Sequence, residues 1–251
     1  MKQIKTHNGS FKINDDQIDF YNENGYLLLK NVWPKVEIDI MREDMNEFAN
    51  GFYTAYLDMQ YYKNLKRAHR GKKLCDIADS VFKARGIPIG ATAFFYKPNN
   101  PLENGANWHQ DNCNVHTPGN TYINIAVAID SADETNGALI VIPGSHKLGD
   151  LPAVSQPNFA LDDSGRKYSK YPIGNPCGIP DGYEVKQLKY ESGDVVILHA
   201  QTIHKTNKNE HPTNWRRTIY FMYNEENQPF WPGWTAKREL LERYDSKEFT
   251  N

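Results

Sequence analysis

Cysteine is scarce in this sequence, and the three present, Cys75, Cys113 and Cys177, stand in no CxxC spacing. An odd count without that spacing excludes a disulfide framework and a zinc ribbon, and it points to a reducing compartment. Long apolar runs are missing too. No stretch approaches the roughly 20 residues of a membrane span, and the opening MKQIKTHNGSFKINDD holds no apolar signal core. Nor is charge of one sign in excess. With 29 Lys and Arg against 31 Asp and Glu, the formal net charge is -2 and the pI is near 6.4. Bulk electrostatics therefore draw the chain to neither nucleic acid nor an anionic membrane. A soluble, cytoplasmic protein with a small-molecule partner is expected, with no nucleic acid and no membrane; nothing in the sequence speaks to its oligomeric state. Internal repeats and low-complexity tracts are also absent.

What is present fits one large β-rich domain spanning 1–251, since 251 residues at 39% hydrophobic and 12% aromatic suffice for a substantial core. Asn14 or Asp15 caps a predicted helix that Gly25 ends before the apolar strand 26–29. Pro34 suits the start of a second helix with Val36, Ile40, Met41, Met45 and Phe48 at helical spacing. Two more helices are predicted over 55–69 and 73–85, the last with Leu74, Ile77, Val81 and Phe82 on one stripe and Gly86 as its stop. Basic residues cluster here, Lys63, Lys66, Arg67, Arg70, Lys72 and Lys73, and without interleaved aromatics they read as a solvated face.

The helical part thus runs over about 14–86. From residue 87 to about 225 the texture changes to short apolar runs between Gly, Pro, Asn and Asp, the pattern of an antiparallel sandwich or barrel. Strands are predicted over 89–97, 107–111, 122–130, 137–142, 184–190, 194–199 and 216–223. The run 123–129 shows no alternation, so one of its faces is expected against an opposing sheet and the other against the N-terminal helices. The stretch 148–182, rich in Pro, Gly, Ser and Asp, is long for a connection and reads as a lid-like insertion.

Trp108-His109-Gln110-Asp111 carries the chemistry. In an extended chain His109 and Asp111 share a face and Gln110 points the other way. Two imidazoles and a carboxylate on one side of an ion, with the other positions open, form the ligand set of non-haem Fe(II) oxygenases. A third ligand is then needed, and both His199 and His204 follow the apolar strand near 195–198. Spacing leaves the two open, because it cannot place a side chain across a barrel.

Several ordered motifs bear on that choice. Trp-His-Gln-Asp at 108–111, Asn-Gly-Ala-Leu-Ile-Val-Ile-Pro-Gly-Ser-His at 136–146, Ser-Gly-Asp-Val-Val-Ile-Leu-His at 192–199 followed by His204, and the opening 17–29 together resemble the phytanoyl-CoA dioxygenase family. The resemblance implies a double-stranded β-helix (jelly roll, cupin-like), mainly β with N-terminal helices, that holds Fe(II) and uses 2-oxoglutarate and O2. It implies hydroxylation of a small-molecule metabolite with release of succinate and CO2. Carried over by residue, the metal ligands are His109, Asp111 and His204, while His199 matches a non-ligating histidine. Arg216 matches the anchor of the distal 2-oxoglutarate carboxylate, a task suited to a planar, always charged guanidinium. Thr206 matches a hydroxyl directed at the same group, and Lys97 in Phe-Tyr-Lys-Pro matches a recurrent Lys-Pro. Arg217 is adjacent, and hydrophobicity does not choose between the two phases of that strand, so Arg216 rests on the family match. Where some relatives carry a bulky aromatic, this chain has Ala126 and Ala128. Asp111 itself favours hydroxylation over halogenation, for which related enzymes replace the carboxylate.

Other readings stand beside this one. The same ligands on a cupin-like barrel serve isomerases and hydrolases, and a catalytically silent binding protein could keep the fold. Asn124 shares a face with Tyr122, and both are assigned to pocket lining or core; Asn124 is counted with the cofactor-binding residues. His146 is read as stabilising a turn. His7, His69, His116 and His211 are read as surface residues, and Phe230, Trp231 and Trp234 as a seal of the barrel.

Overall fold

Asn14 opens the first helix of the computed structural model, which describes residues 11–48, 54–56, 62–100, 105–111, 122–151, 159–161, 167–169, 180–229 and 239–244. Its side chain accepts from the Gln17 amide at 2.9 Å while Gln17 Oε1 accepts from the Asn14 amide at 3.0 Å, a reciprocal cap that meets two donors the helix cannot. Helix α1 (Asp15–Asn24) ends at Gly25, whose φ of 74° is left-handed. A Cβ there would overlap Thr202 and His146, so the position needs glycine twice over. Strand β1 (Tyr26–Leu29), helix α2 (Lys35–Phe48), strand β2 (Thr54–Tyr56) and helices α3 (Lys63–Arg70) and α4 (Lys72–Phe82) follow. The β-rich part comprises β3 (Gly86–Tyr96), β4 (Ala106–His109), β5 (Tyr122–Ala128), β6 (Leu139–Val141), β7 (Phe159–Leu161), β8 (Lys167–Ser169), β9 (Lys186–Gln187), β10 (Val195–His199), β11 (His204–Thr206) and β12 (Arg216–Glu225).

Two antiparallel sheets make the barrel, one ordered β1-β10-β5-β12-β3-β2 and one ordered β4-β11-β6-β9. This is the expected jelly roll with helices added to one face. Strand β5 sits inside the larger sheet and is buried throughout, as its lack of apolar–polar alternation predicts. Ile123, Ile125 and Val127 join Ile38, Met41, Leu65, Leu74 and Ile77 of the helices in one core. Ala126 and Ala128 point the other way, into a second core with Leu139 and Val141 of β6. The barrel interior is therefore the face of β5 that carries residues 124, 126 and 128, and cross-strand registers extend that face to Arg216, Thr218, Tyr220 and Met222 on β12 and to Thr92, Phe94 and Tyr96 on β3.

Several expectations are corrected. The predicted helix over 55–69 is a strand and a shorter helix, because Thr54–Tyr56 pairs with Phe94–Thr92 and completes the sheet edge; β-prone Thr and Tyr follow that partner. Gly86 opens β3; the helix has already turned at Lys83, which is itself left-handed at φ 53°. Val36 lies 55% exposed, while Ile38 takes the core position expected of it. The basic cluster is not simply solvated. Arg67 is buried, Lys72 pairs with Asp76 at 2.6 Å, and Lys73 lies over the Trp33 ring and reaches Glu37 at 3.2 Å. His69 is wholly buried: its Nε2 donates to the Met222 carbonyl at 3.2 Å and its ring stacks on Phe221. α3 is pressed against the outer face of β12, which turns an apparently surface-facing segment inward.

The predicted strand over 184–190 shrinks to β9 and a bridge between Ala132 and Tyr190. Most of the 148–182 insertion lies outside the described residues, as do His7, His116, Cys113, Cys177, Phe230, Trp231 and Trp234. Its described parts are the turn Ser145–Leu148 that leads into it, residues 149–151, a β7–β8 hairpin and a turn at 180–182.

Candidate metal centre

His109 is the last residue of β4, and the strand stops there, two residues sooner than predicted. Gln110 turns its amide away from the barrel, where Nε2 donates to the carbonyls of Gly149 and Gln201, both at 2.8 Å, and Oε1 accepts from the Leu151 amide at 2.8 Å. Those three bonds replace strand pairing. The chain then bends, and Asp111 returns to the interior beside His109, so the expected sharing of a face holds although the strand does not continue.

His204, the first residue of β11, lies directly across from His109 in the ladder. Its Nε2 is 3.7 Å from Asp111 Oδ1, and His109 Nε2 is 3.6 Å from the same oxygen. One ligand atom from each of the three residues lies within 4.8 Å of the others. Backbone carbonyls set the tautomers. His109 Nδ1 donates to Asn107 O at 2.6 Å and His204 Nδ1 to Thr202 O at 2.9 Å, which leaves both Nε2 lone pairs turned to the centre. Burial first, and the neighbouring His204 second, push the His109 pKa down to about 4, so this imidazole is neutral and able to ligate at neutral pH. The donor set, two nitrogens and one carboxylate oxygen on one side, fits a divalent iron with open positions.

His199 is elsewhere. On β10 it shares the phase of Val195 and Ile197, which face the helices, and its ring lies 5.0 Å from His146 and 6.3 Å from Tyr21. His146 donates Nε2 to Asn22 O at 3.0 Å and so tethers the Ser145–Leu148 turn to α1. His211 accepts from the amides of Thr213 and Asn214 in a surface turn.

Further along the barrel interior lies a buried cation. Arg216 is 1% exposed, its guanidinium stands 3.7 Å over the Tyr96 ring, and its one hydrogen bond among the described residues is a 3.3 Å contact from Nη2 to Asn207 O. Its Nε has no partner among the described residues. Thr206 is beside it, accepting from the Ala106 amide at 3.0 Å and lying 3.5 Å from the Tyr96 hydroxyl. Arg217 points outward, where Asp130 accepts from its Nε at 2.6 Å and its NH2 at 2.9 Å. Lys97 sits just past β3 with its ammonium 5.6 Å from the Trp215 ring centroid. Asn124 donates to Asp111 Oδ2 at 2.6 Å, and Tyr122 packs with Ile89, Ala200 and Met222.

Tyr96 and Tyr220 escaped the sequence reading. Tyr220 lies between the two ends of the site: burial and Tyr190 raise its pKa, the charge of Arg216 lowers it, and Asp111 raises it further. Alternation along β3 and β12 would have flagged both, had the register between those strands been known.

The family model described as Phytanoyl-CoA dioxygenase (PhyH) matches residues 21–218. Phytanoyl-CoA dioxygenase 1 of Oryza sativa subsp. japonica is 25% identical over 252 residues, covering 80% of this chain and 86% of that protein. An ectoine dioxygenase of Bordetella bronchiseptica is 21% identical, covering 83% and 74%. Among solved structures, the epimerase SnoN in complex with Fe3+, alpha ketoglutarate and nogalamycin RO superposes with a TM-score of 0.70 at 16% identity, covering 87% of this chain and 86% of that one.

Proposed function

The chain belongs to the phytanoyl-CoA dioxygenase family, and from that premise we propose that His109, Asp111 and His204 hold Fe(II) while Arg216 and Thr206 hold the distal carboxylate of 2-oxoglutarate. The protein is an iron- and 2-oxoglutarate-dependent dioxygenase. One observation carries the assignment of residues. His109, Asp111 and His204 bring their ligand atoms together, a buried guanidinium whose Nε has no partner among the described residues occupies the same interior, and a buried cation without an anion is costly. A dicarboxylate that reaches both ends meets that need.

The residues divide the work. The Asn107 and Thr202 carbonyls hold the imidazoles in the ligating tautomer. Tyr96 supports the Arg216 plane from one side and leaves its edge for a bidentate carboxylate. Bound iron, with 2-oxoglutarate and O2, supplies oxidation of an unactivated C–H bond, 2-oxoglutarate leaving as succinate and CO2. The relatives named above bear the names of unlike molecules, phytanoyl-CoA and ectoine, so the primary substrate here is assigned only as a small metabolite. Among the described residues no helix is long and apolar enough to cross a membrane.

Anaerobic addition of Fe(II) and then 2-oxoglutarate is expected to give a weak visible charge-transfer band, and a metabolite panel in air should contain a compound that stimulates succinate formation. A protein that binds Fe(II) but neither develops the band nor forms succinate under any of the panel would overturn the reading.

A further inference from the structure

Asn124 interrupts the run Ile123-Asn124-Ile125 in a central strand, where Asn is a poor strand former. It is 4% exposed, and its cross-strand neighbours are Leu198 and Met222. Nothing apolar about that setting calls for an amide. Its side-chain bond goes to Asp111 Oδ2 at 2.6 Å, and its own Oδ1 has no partner among the described residues. Amide orientation follows from charge: an ionised carboxylate only accepts, so Nδ2 must face it and Oδ1 must be the atom left over. A buried acceptor left unmet is a cost, and here it accompanies one short contact to a metal-ligand candidate.

Asp111 needs that contact. It lies past the end of β4, outside the described strand ladders. Asn124 projects from β5, which is paired on both sides by β10 and β12. We propose that Asn124 is a positioning residue: it holds Asp111 Oδ2 so that Oδ1, the oxygen 3.6 and 3.7 Å from the two imidazole Nε2 atoms, stays aimed at the metal. The doubly paired central strand thereby lends its order to a ligand that follows the end of β4. This inference rests on the His109–Asp111–His204 assignment made above and adds to it a residue outside the ligand set.

A double-mutant cycle on metal affinity tests it, with Co(II) titrated into the full chain at neutral pH and followed by visible absorption. Asn124→Ala and the similarly branched Asn124→Leu are each expected to weaken Co(II) binding by about tenfold, as removal of a group that orients a ligand does. In the Asp111→Ala background the same changes should alter affinity by less than about twofold, because the group they act through is gone. Thermal melting of each metal-free variant checks that it remains folded, which separates a lost orienting contact from a lost fold. Undiminished Co(II) affinity in both Asn124 variants, or an equal loss in both backgrounds, would overturn the inference while leaving the ligand set intact. If Asp111→Ala itself binds Co(II) as tightly as the parent, the ligand assignment fails and the inference with it.

Discussion

Replacing Arg216 with alanine, beside the same change at Arg217, asks which face of β12 the co-substrate uses. The two residues are adjacent, and strand alternation sends them to opposite sides. Among the described residues Arg216, 1% exposed, has one 3.3 Å hydrogen bond to a carbonyl and no partner for its Nε; Arg217 is held by Asp130 and also donates to Asn46 at 2.9 Å. Truncating one side of a buried, hydrogen-bonded charge pair costs about 2–5 kcal/mol. Since about 1.4 kcal/mol is a factor of ten, the concentration of 2-oxoglutarate that half-saturates the Fe(II) protein should rise by about 30-fold or more in Arg216→Ala. Arg216→Lys keeps the charge but not the two-pronged grip, and should fall between the two. In Arg217→Ala the 2-oxoglutarate requirement should hold, while stability drops by about 1.5–3 kcal/mol as Asp130 loses its charged donors from that residue. The assay is an anaerobic titration of the charge-transfer band, paired with urea unfolding of each variant. The reverse ranking, with Arg217→Ala losing 2-oxoglutarate and Arg216→Ala keeping it, would refute the placement of the anion site in the barrel interior.

Further outcomes follow from the same coordinates. His204→Ala should abolish the charge-transfer band, whereas His199→Ala should retain Fe(II) affinity, because His199 faces the helices; the opposite pattern in a metal titration would mean the wrong histidine was assigned. Burial holds the His69 pKa down to about 3. Its folded pKa lies below its unfolded value, so the stability it contributes is present above the unfolded pKa near 6.5 and is lost as pH falls from there toward 3. Between pH 7 and pH 5 that amounts to about 2 kcal/mol for one such group, and urea unfolding at the two pH values should show the loss in the parent and a smaller one in His69→Gln. Gly25→Ala should lower the melting temperature of the metal-free protein sharply, since the left-handed backbone costs about 1–2 kcal/mol for a residue with a Cβ and the added carbon overlaps Thr202 and His146; an unchanged melt would show that the α1–β1 turn relaxes freely.

Whatever depends on neighbours a few residues apart was legible in the sequence alone. The Asn14 cap and the Gly25 stop follow from local turn chemistry, and the two-sided burial of β5 follows from an apolar run with no alternation. His109 and Asp111 were legible as a pair because side-chain direction repeats every two residues, even though Gln110 breaks the strand between them. The family motifs then supplied His204 and Arg216 by position in a pattern. Where the sequence misled, a distant partner was at work: Thr54–Tyr56 became a strand because β3 offers an edge, and His69 is buried because α3 is pressed onto β12.

Only the tertiary structure could say why His204 and not His199 meets Asp111, since the phase of β10 is set by its pairing to β5 and the place of β11 by its pairing to β4. It alone put Arg216 inside and Arg217 in the grip of Asp130, and it alone joined Asn124 to Asp111 across 13 residues of sequence. The physical reason is common to all three. A residue's period along its own strand says which neighbours share its face, but which face is the interior depends on what packs there, and that is decided by chain segments far away in sequence.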